Sequence, residues 1–410
     1  MGKHVEALEC WCNELKINIS LCGDSDNIAT AINLGNIGNA YHDIGEYASA
    51  LEYHAKSLEI METISGAANN MPNLATTYSN IGNVYMSLGK YELALKNSNK
   101  SLEMREALFH SNPTHPDVAT SYNNIGNIYN CLGDYSTALN YYNKSLEIAK
   151  ATCRYDANNN HPYIAISYNN IGNLHSSLGN YESALEYHSK SLEMEKAIYG
   201  ADVNHPAIAT SIGNIGNAYD GLKEYALALE YHLQALKMKK AVYVLNTNHP
   251  DIAISYNNIG DTYSSLCEYT SALEYHKKSL QIKKEIYGKD TVHLDIAISY
   301  SNIGSAYDGL GELASALECH KMSLEMKKKV LGSDANHHAI AISYNNIGET
   351  YNRLGEYAPA LEHLSKSLEI RKTIHSSNPN HPFVAHCQQN VDVVFENLRA
   401  NPHYLECAIL

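Results

Sequence analysis

An internal repeat constrains the fold of this chain more than any other feature of its sequence. The tripeptide Asn-Ile-Gly recurs eight times within 410 residues, and its glycines follow one another at steps of 44 residues, with one step of 46. These glycines are Gly38, Gly82, Gly126, Gly172, Gly216, Gly260, Gly304 and Gly348. Units of this length stack on their neighbours, so the sequence predicts one stacked array rather than separate globular domains.

Each unit has the pattern of two helices, which is clear in the third copy. Pro116 is a favourable first residue for a helix, and apolar residues follow it at spacings of three and four. Gly133 is placed to end this helix, and a second helix with the same spacing begins directly after it. Gly126 and Ala138 have counterparts in all eight units. Their small side chains predict that the two helices of a unit approach each other closely.

The unit resembles the tetratricopeptide repeat, through the series Tyr122, Gly126, Tyr129, Ala138 and Tyr142. The 44-residue length and the linker His-Pro-Asp-Val-Ala are similar to the kinesin-light-chain and nephrocystin-3 subgroup. The resemblance implies an all-α fold, a right-handed α-α superhelix of eight helix-turn-helix repeats with half repeats at both ends. It also implies a non-catalytic protein-interaction scaffold or adaptor, whose first helices line a concave groove that binds a peptide or a partner helix.

The repeat register divides the chain into four predicted segments. Residues 1–22 align with the second helix of a repeat whose first helix is missing, and residues 28–375 hold the eight repeats. Residues 382–399 copy a first helix and are predicted to cap the array, and residues 400–410 form a tail. The missing first helix favours a fragment of a longer protein, and an N-terminal capping helix is the alternative.

Asparagines recur on the predicted first helices although asparagine is a mediocre helix former. An amide side chain both donates and accepts, so it can pair with the backbone of a bound peptide. Two slots of the unit are predicted to contact such a peptide, through Asn39, Asn83, Asn123, Asn127, Asn169, Asn173, Asn217, Asn257 and Asp261. A further slot is asparagine in every unit, at Asn36, Asn80, Asn124, Asn170, Asn214, Asn258, Asn302 and Asn346. Two interpretations of this slot stay open: contact with the ligand, or a bond to a backbone group of the next repeat.

Charge and composition narrow the class of partner. The net charge of −14 argues against nucleic acid or an anionic membrane surface as a partner. The predicted groove offers almost no lysine or arginine, with Arg353 as the exception, so a neutral or basic peptide is expected. The nine cysteines form no disulfide framework or CxxC pair, and no stretch of about 18 apolar residues occurs. A reducing, cytoplasmic location is expected.

Chemistry beyond binding has little support in the sequence. Linker histidines are expected to cap helix starts or pack on a linker, and five more histidines share one slot of the second helix. Lysines concentrate near the ends of second helices in the later repeats, where a solvated face is the expected position and a patch for an acidic partner is the alternative. Because every candidate catalytic residue is a repeated position, we expect no enzyme activity, no cofactor and no metal. A sensor portion of a larger signalling NTPase, or a purely structural spacer, is the alternative function.

Overall fold

The recurring apolar spacing folds as helix throughout the described part of the chain. In a computed structural model, the structure describes residues 11, 13, 27–64, 70–152, 161–244, 247–289, 291–332, 336–376 and 382–400, and no β-strand occurs among them. The predicted half repeat at 1–22 and the predicted tail at 400–410 lie outside these residues, apart from residues 11, 13 and 400. The helices are α1 Ile28–Ile44, α2 Tyr47–Ile64, α3 Met71–Ser87, α4 Tyr91–Leu108, α5 Pro116–Leu132, α6 Tyr135–Thr152, α7 Pro162–Ser177, α8 Tyr181–Tyr199, α9 Pro206–Gly221, α10 Tyr225–Val242, α11 Pro250–Ser265, α12 Tyr269–Tyr287, α13 Leu294–Leu310, α14 Leu313–Leu331, α15 His338–Leu354, α16 Tyr357–Ile374 and α17 Pro382–Ala400.

The helices alternate as the repeat predicts. Odd-numbered helices α1 to α15 are the first helices of the eight repeats, even-numbered helices are the second helices, and α17 follows the last repeat. The chain forms two compact units, Met1–Asn258 and Ile259–Leu410, with the boundary inside α11. Within each unit a first helix packs on the second helix of its own repeat, and that second helix packs on the next first helix. This confirms the predicted all-α solenoid of helix hairpins.

Linker histidines cap the first helices, as predicted. In six repeats the histidine Nδ1 accepts a hydrogen bond from the backbone N–H two residues later, over 3.2 Å for His115 and Asp117 and 3.0 Å for His293 and Asp295. The other four are His161, His205, His249 and His337. The His115 ring also stacks 3.5 Å from the Phe109 ring, at the end of the preceding second helix. The cap therefore fixes both the start of one helix and its position against the previous one.

The glycine of each Asn-Ile-Gly lies directly on a side chain of the second helix. A Cβ added at Gly126 would lie 2.7 Å from the Tyr142 ring, and one added at Gly216 would lie 2.7 Å from the His232 ring. Ala138 and its counterparts are fully buried beside these contacts. The predicted close approach of the two helices is confirmed. The second-helix histidines of this slot are buried under the glycines, at His54, His188, His232, His276 and His320.

Several basic side chains near the ends of second helices are buried between repeats, so a solvated face is the wrong interpretation for them. Lys239, Lys283 and Lys327 are less than 8% exposed. The Lys283 ammonium donates to the Ser299 hydroxyl over 2.9 Å, and the Lys327 ammonium donates to Ser343 over 2.7 Å. Arg105 and Arg371 bond the next first helix from the same slot. These cations connect successive repeats instead of facing a partner.

Replacing Lys327 by methionine is expected to stabilise the fold at pH 7. Burial lowers the pKa of the Lys327 ammonium from 10.5 to about 8, so keeping the charge there costs about 3 kcal/mol. Methionine fills a similar volume without that cost, and we expect the free energy of unfolding to rise by about 1–3 kcal/mol in urea titrations. Lys329→Met, on an exposed site of the same helix, should change it by less than about 0.5 kcal/mol.

The pH dependence gives a second test of this buried lysine. Above pH 8 the folded state releases the Lys327 proton, whereas the unfolded chain keeps it up to about pH 10.5. The unfolded state then binds more protons, so the contribution of Lys327 to stability rises with pH in this window. The methionine variant should lack this rise. An unchanged slope between pH 8 and 10.5, or a loss of stability at pH 7, would contradict the buried charge.

Candidate functional site

The slot that is asparagine in every repeat lies half-buried on the first helices. Where its hydrogen bonds are defined, the amide donates to a side chain of the preceding repeat: Asn124 to Ser79 Oγ over 3.0 Å and Asn346 to Ser301 Oγ over 3.2 Å. The other such donors are Asn214, Asn258 and Asn302, over 3.2–3.4 Å. These bonds differ in partner from the predicted bond to a backbone group of the next repeat. The bond connects repeats, but through side chains and in the opposite direction.

The slot one residue earlier lies mostly inside the packing between repeats. Asn123 is 9% exposed. Asn169 donates to the Ser211 hydroxyl of the next repeat over 3.0 Å and contacts the His188 ring nitrogen at 2.9 Å. Asn257, the third predicted contact of this slot, is half-buried. Asn123 is the one buried residue among the predicted peptide contacts.

The slot three residues after the repeated asparagine is the most accessible of the three. Asn39, Asn173, Asn217 and Asp261 are exposed, whereas Asn83 and Asn127 are half-buried. The Asn127 Oδ1 accepts a hydrogen bond from the Tyr142 hydroxyl over 2.7 Å, which turns it toward its own second helix. Asp261 lies 3.7 Å from the buried His276 Nε2. The structure therefore brings the amides of Asn39, Asn173 and Asn217 of the first unit to the surface, and the Asn217 Oδ1 also accepts from Asn258 over 3.2 Å.

Exposed isoleucines lie one helical turn before the repeated asparagines. Ile32, Ile166, Ile254, Ile298 and Ile342 are each 40–48% exposed, and Thr76, Thr120 and Thr210 take the same slot in other repeats. Ile166, Asn170 and Asn173 are spaced at i, i+4 and i+7, so they share one side of α7. We call the surface made by this isoleucine or threonine slot, the repeated asparagine slot and the accessible slot the first-helix face. Each unit presents such a face on its own first helices.

In the first unit, the three slots of the first-helix face hold no charged residue. In the second unit, Glu349 accepts from Asn345 and from Asn390, each over 2.7 Å. Arg353, the one cation predicted near this face, pairs with Asp308 over 3.3 Å, and Asp308 also accepts from Thr350. The arginine charge is therefore engaged within the second unit. The face consists mainly of uncharged amides, hydroxyls and aliphatic groups.

Neither a cluster of metal ligands nor a membrane-spanning helix occurs in the described part of the chain. No group of three or more His, Cys, Asp or Glu residues there could hold a metal ion. The second-helix histidines pack against the Asn-Ile-Gly glycines of the first helices, a role that the sequence did not predict. No described helix is both long enough and apolar enough to cross a bilayer.

Comparisons with known proteins agree with this architecture. Models of the tetratricopeptide repeat match residues 30–70, 73–151, 163–241, 251–329 and 295–373, which together are more than half of the chain. A sequence search of curated proteins gives no match.

Solved structures give fold-level matches. A Rap protein complexed with competence and sporulation factor has a TM-score of 0.58 at 15% identity, covering 91% of this chain and 98% of that one. The apo form of RapI has a TM-score of 0.51 at 19% identity, covering 74% and 99%. A putative kinesin light chain from Podosopora anserina with nearly identical repeats has a TM-score of 0.41 at 19% identity, covering 52% and 97%. The repeat matches and the helix hairpins together show that this chain belongs to the tetratricopeptide repeat family.

Proposed function

We propose that this chain is a non-catalytic protein-interaction scaffold whose first-helix face binds a peptide or a partner helix. The observation that carries the proposal is the exposed series of isoleucines, each followed by an asparagine four residues later and by a further polar residue seven residues later. An isoleucine that is nearly half exposed on a rigid helix gains free energy when a partner covers it. Its recurrence along the face makes a continuous partner more suitable than a small molecule.

The amides of the accessible slot support a peptide ligand in particular. Asn39, Asn173 and Asn217 are exposed, and an amide can both donate to a carbonyl and accept from an N–H of a peptide backbone. The Asn217 Oδ1 already accepts from Asn258, so Asn217 offers chiefly its N–H groups. The first-helix face lacks the lysines and arginines that would bind an acidic segment, so we propose a neutral or basic peptide. Asp43 and Asp261, both exposed on first helices, favour the same charge.

The described cysteines support a proposal for the cellular setting. Cys131, Cys267, Cys319 and Cys387 are free thiols, two of them exposed. Exposed free thiols are typical of a reducing compartment, and we propose the cytoplasm. We also propose that the chain has no catalytic activity, because its polar side chains on the first helices recur from repeat to repeat instead of converging on one reactive centre.

Substituting the three exposed asparagines is expected to weaken partner capture strongly. The Asn39→Ala, Asn173→Ala and Asn217→Ala triple variant removes three hydrogen-bonding groups, each contributing about 0.5–1.5 kcal/mol, so affinity should fall at least tenfold. A pull-down from cell lysate followed by titration with the identified partner measures this loss. Asn140→Ala with Asn143→Ala, exposed on the second helix α6, is the matched control and should bind normally.

The three outcomes separate the alternatives. A discrete partner that is lost by the folded triple variant alone supports the first-helix face. Equal capture by both variants would move the binding site away from these asparagines. No discrete partner for the wild-type chain would favour a structural spacer. Helical circular dichroism and the melting temperature establish that the variants fold.

A further inference from the structure

A glycine in the first repeat opens a pocket at a position that is occupied by a side chain in the next two repeats. The pocket has a volume of about 110 Å³ and lies between α1 and α3 of the first unit. Ala31, Ser57 and Met61 form its buried floor, and Asn36, Asn39 and Asn80 stand at its rim. Five residues of the first-helix face therefore line one cavity: Ile32, Asn36, Asn39, Thr76 and Asn80.

Gly35 is the cause of this pocket. The equivalent residues of the next two repeats, Ser79 and Asn123, carry side chains that are buried at this position. Ser79 accepts the hydrogen bond of Asn124, whereas Gly35 has no side chain to accept one from the equivalent Asn80. A Cβ added at Gly35 would meet only Ser57 Oγ, at 3.6 Å, which is an ordinary contact distance. A side chain would therefore fit at position 35, but the residue there is glycine.

The lining of the pocket selects the kind of group it can hold. None of the described residues that line it is ionisable, so a charged group would lose its hydration without a counter-ion. The Ser57 hydroxyl already donates to the Ala31 carbonyl over 2.7 Å, so the floor behaves as an apolar surface with Met61 and Ala31. A cavity of about 150 Å³ holds a benzene molecule, and this one is smaller. Its volume suits an aliphatic group of about leucine size better than the larger side chain of phenylalanine or tryptophan.

We propose that the pocket at Gly35 binds one uncharged aliphatic side chain, of about leucine size, from the peptide held on the first-helix face. The rim amides of Asn36, Asn39 and Asn80 pair with the peptide backbone on either side of that residue. The inference rests on the proposed function and adds to it a specificity-determining position. It predicts that the ligand carries an aliphatic anchor at the place where it crosses the first two repeats.

Peptides selected on the whole chain provide the test. The full chain is panned against a phage-displayed library of random dodecapeptides, and the enriched peptides are synthesised and titrated. Gly35→Ser places in the pocket the side chain that Ser79 and Ser301 have in other repeats, and Gly213→Ser is the matched control in the same slot of the fifth repeat. Circular dichroism melting establishes that both variants fold.

One aliphatic position in the enriched peptides is expected to control affinity. Its replacement by alanine should weaken binding to the wild-type chain about 10-fold to 100-fold, and Gly35→Ser should weaken the parent peptide by a similar factor. The alanine peptide should bind Gly35→Ser and wild type within about threefold of each other, because the pocket no longer contributes. Gly213→Ser should bind the parent peptide normally.

Two contrary results are distinguishable. Peptides that bind wild type and Gly35→Ser equally, or whose sensitive position is charged or aromatic, would overturn the pocket assignment. The proposed function would survive that result if the triple asparagine variant still lost the peptides. Enrichment of no peptide at all would overturn both proposals.

Discussion

Acidification from pH 7 to pH 4 is expected to lower the free energy of unfolding by several kcal/mol. Burial lowers the pKa values of His54, His188 and His276 from 6.5 to about 4, and the nearby charge of Lys283 adds to the effect at His276. Between pH 6.5 and pH 4 the unfolded chain binds protons at these rings and the folded chain does not. Stability therefore falls as the pH falls through this window, by up to about 3 kcal/mol for each histidine.

The chain offers a matched substitution for this test. In the third repeat Tyr142 occupies the place under Gly126 that His188 occupies under Gly172, so His188→Tyr is compatible with the packing. Urea titrations at pH 7, 6, 5 and 4 should show a smaller loss of stability for His188→Tyr, by up to about 3 kcal/mol. An identical loss in the variant and the wild-type chain would show that His188 is not buried as a neutral ring.

Two glycines in the same helix are expected to respond to alanine with opposite signs. A Cβ at Gly216 would lie 2.7 Å from the buried His232 ring, so Gly216→Ala should force the helices apart and cost about 1–3 kcal/mol. A Cβ at Gly213 would meet only Ala235 Cβ, at 3.8 Å. Because alanine is the better helix former, Gly213→Ala should raise stability by about 0.5–1 kcal/mol.

The comparison of the two variants is internally controlled. Both lie in α9, three residues apart, so differences in helix propensity largely cancel. Thermal melting should place Gly216→Ala below the wild-type chain and Gly213→Ala above it. Equal melting temperatures would contradict the close contact between α9 and α10.

The repeat itself explains why most of the fold could be predicted. Its 44-residue period fixes where each helix pair falls, and Pro116 and Gly133 mark helix ends by local backbone chemistry alone. Gly133 adopts the left-handed conformation with φ of 77°, and the helix between these two residues is the observed α5. Such features depend on a few neighbouring residues, so a single sequence reveals them.

Contacts between repeats could not be predicted in the same way. Lys327 and Lys329 are two residues apart near one helix end, yet the first is buried against Ser343 and the second is exposed. Asn123 and Asn127 likewise lie one turn apart, yet Asn123 is buried and Asn127 is half-buried. The relative position of two stacked repeats decides these cases, and local sequence does not encode it.

Site-specific photocrosslinking tests the central claim most directly, because it identifies the surface that a partner contacts. Ile166 is 46% exposed on the first helix α7, and Glu193 is exposed on the second helix α8 of the same repeat. Each is replaced in turn by p-benzoylphenylalanine, and the chain is irradiated with the captured partner. We expect a crosslinked product from position 166 and none from position 193. Crosslinking from position 193 alone would contradict binding on the first-helix face.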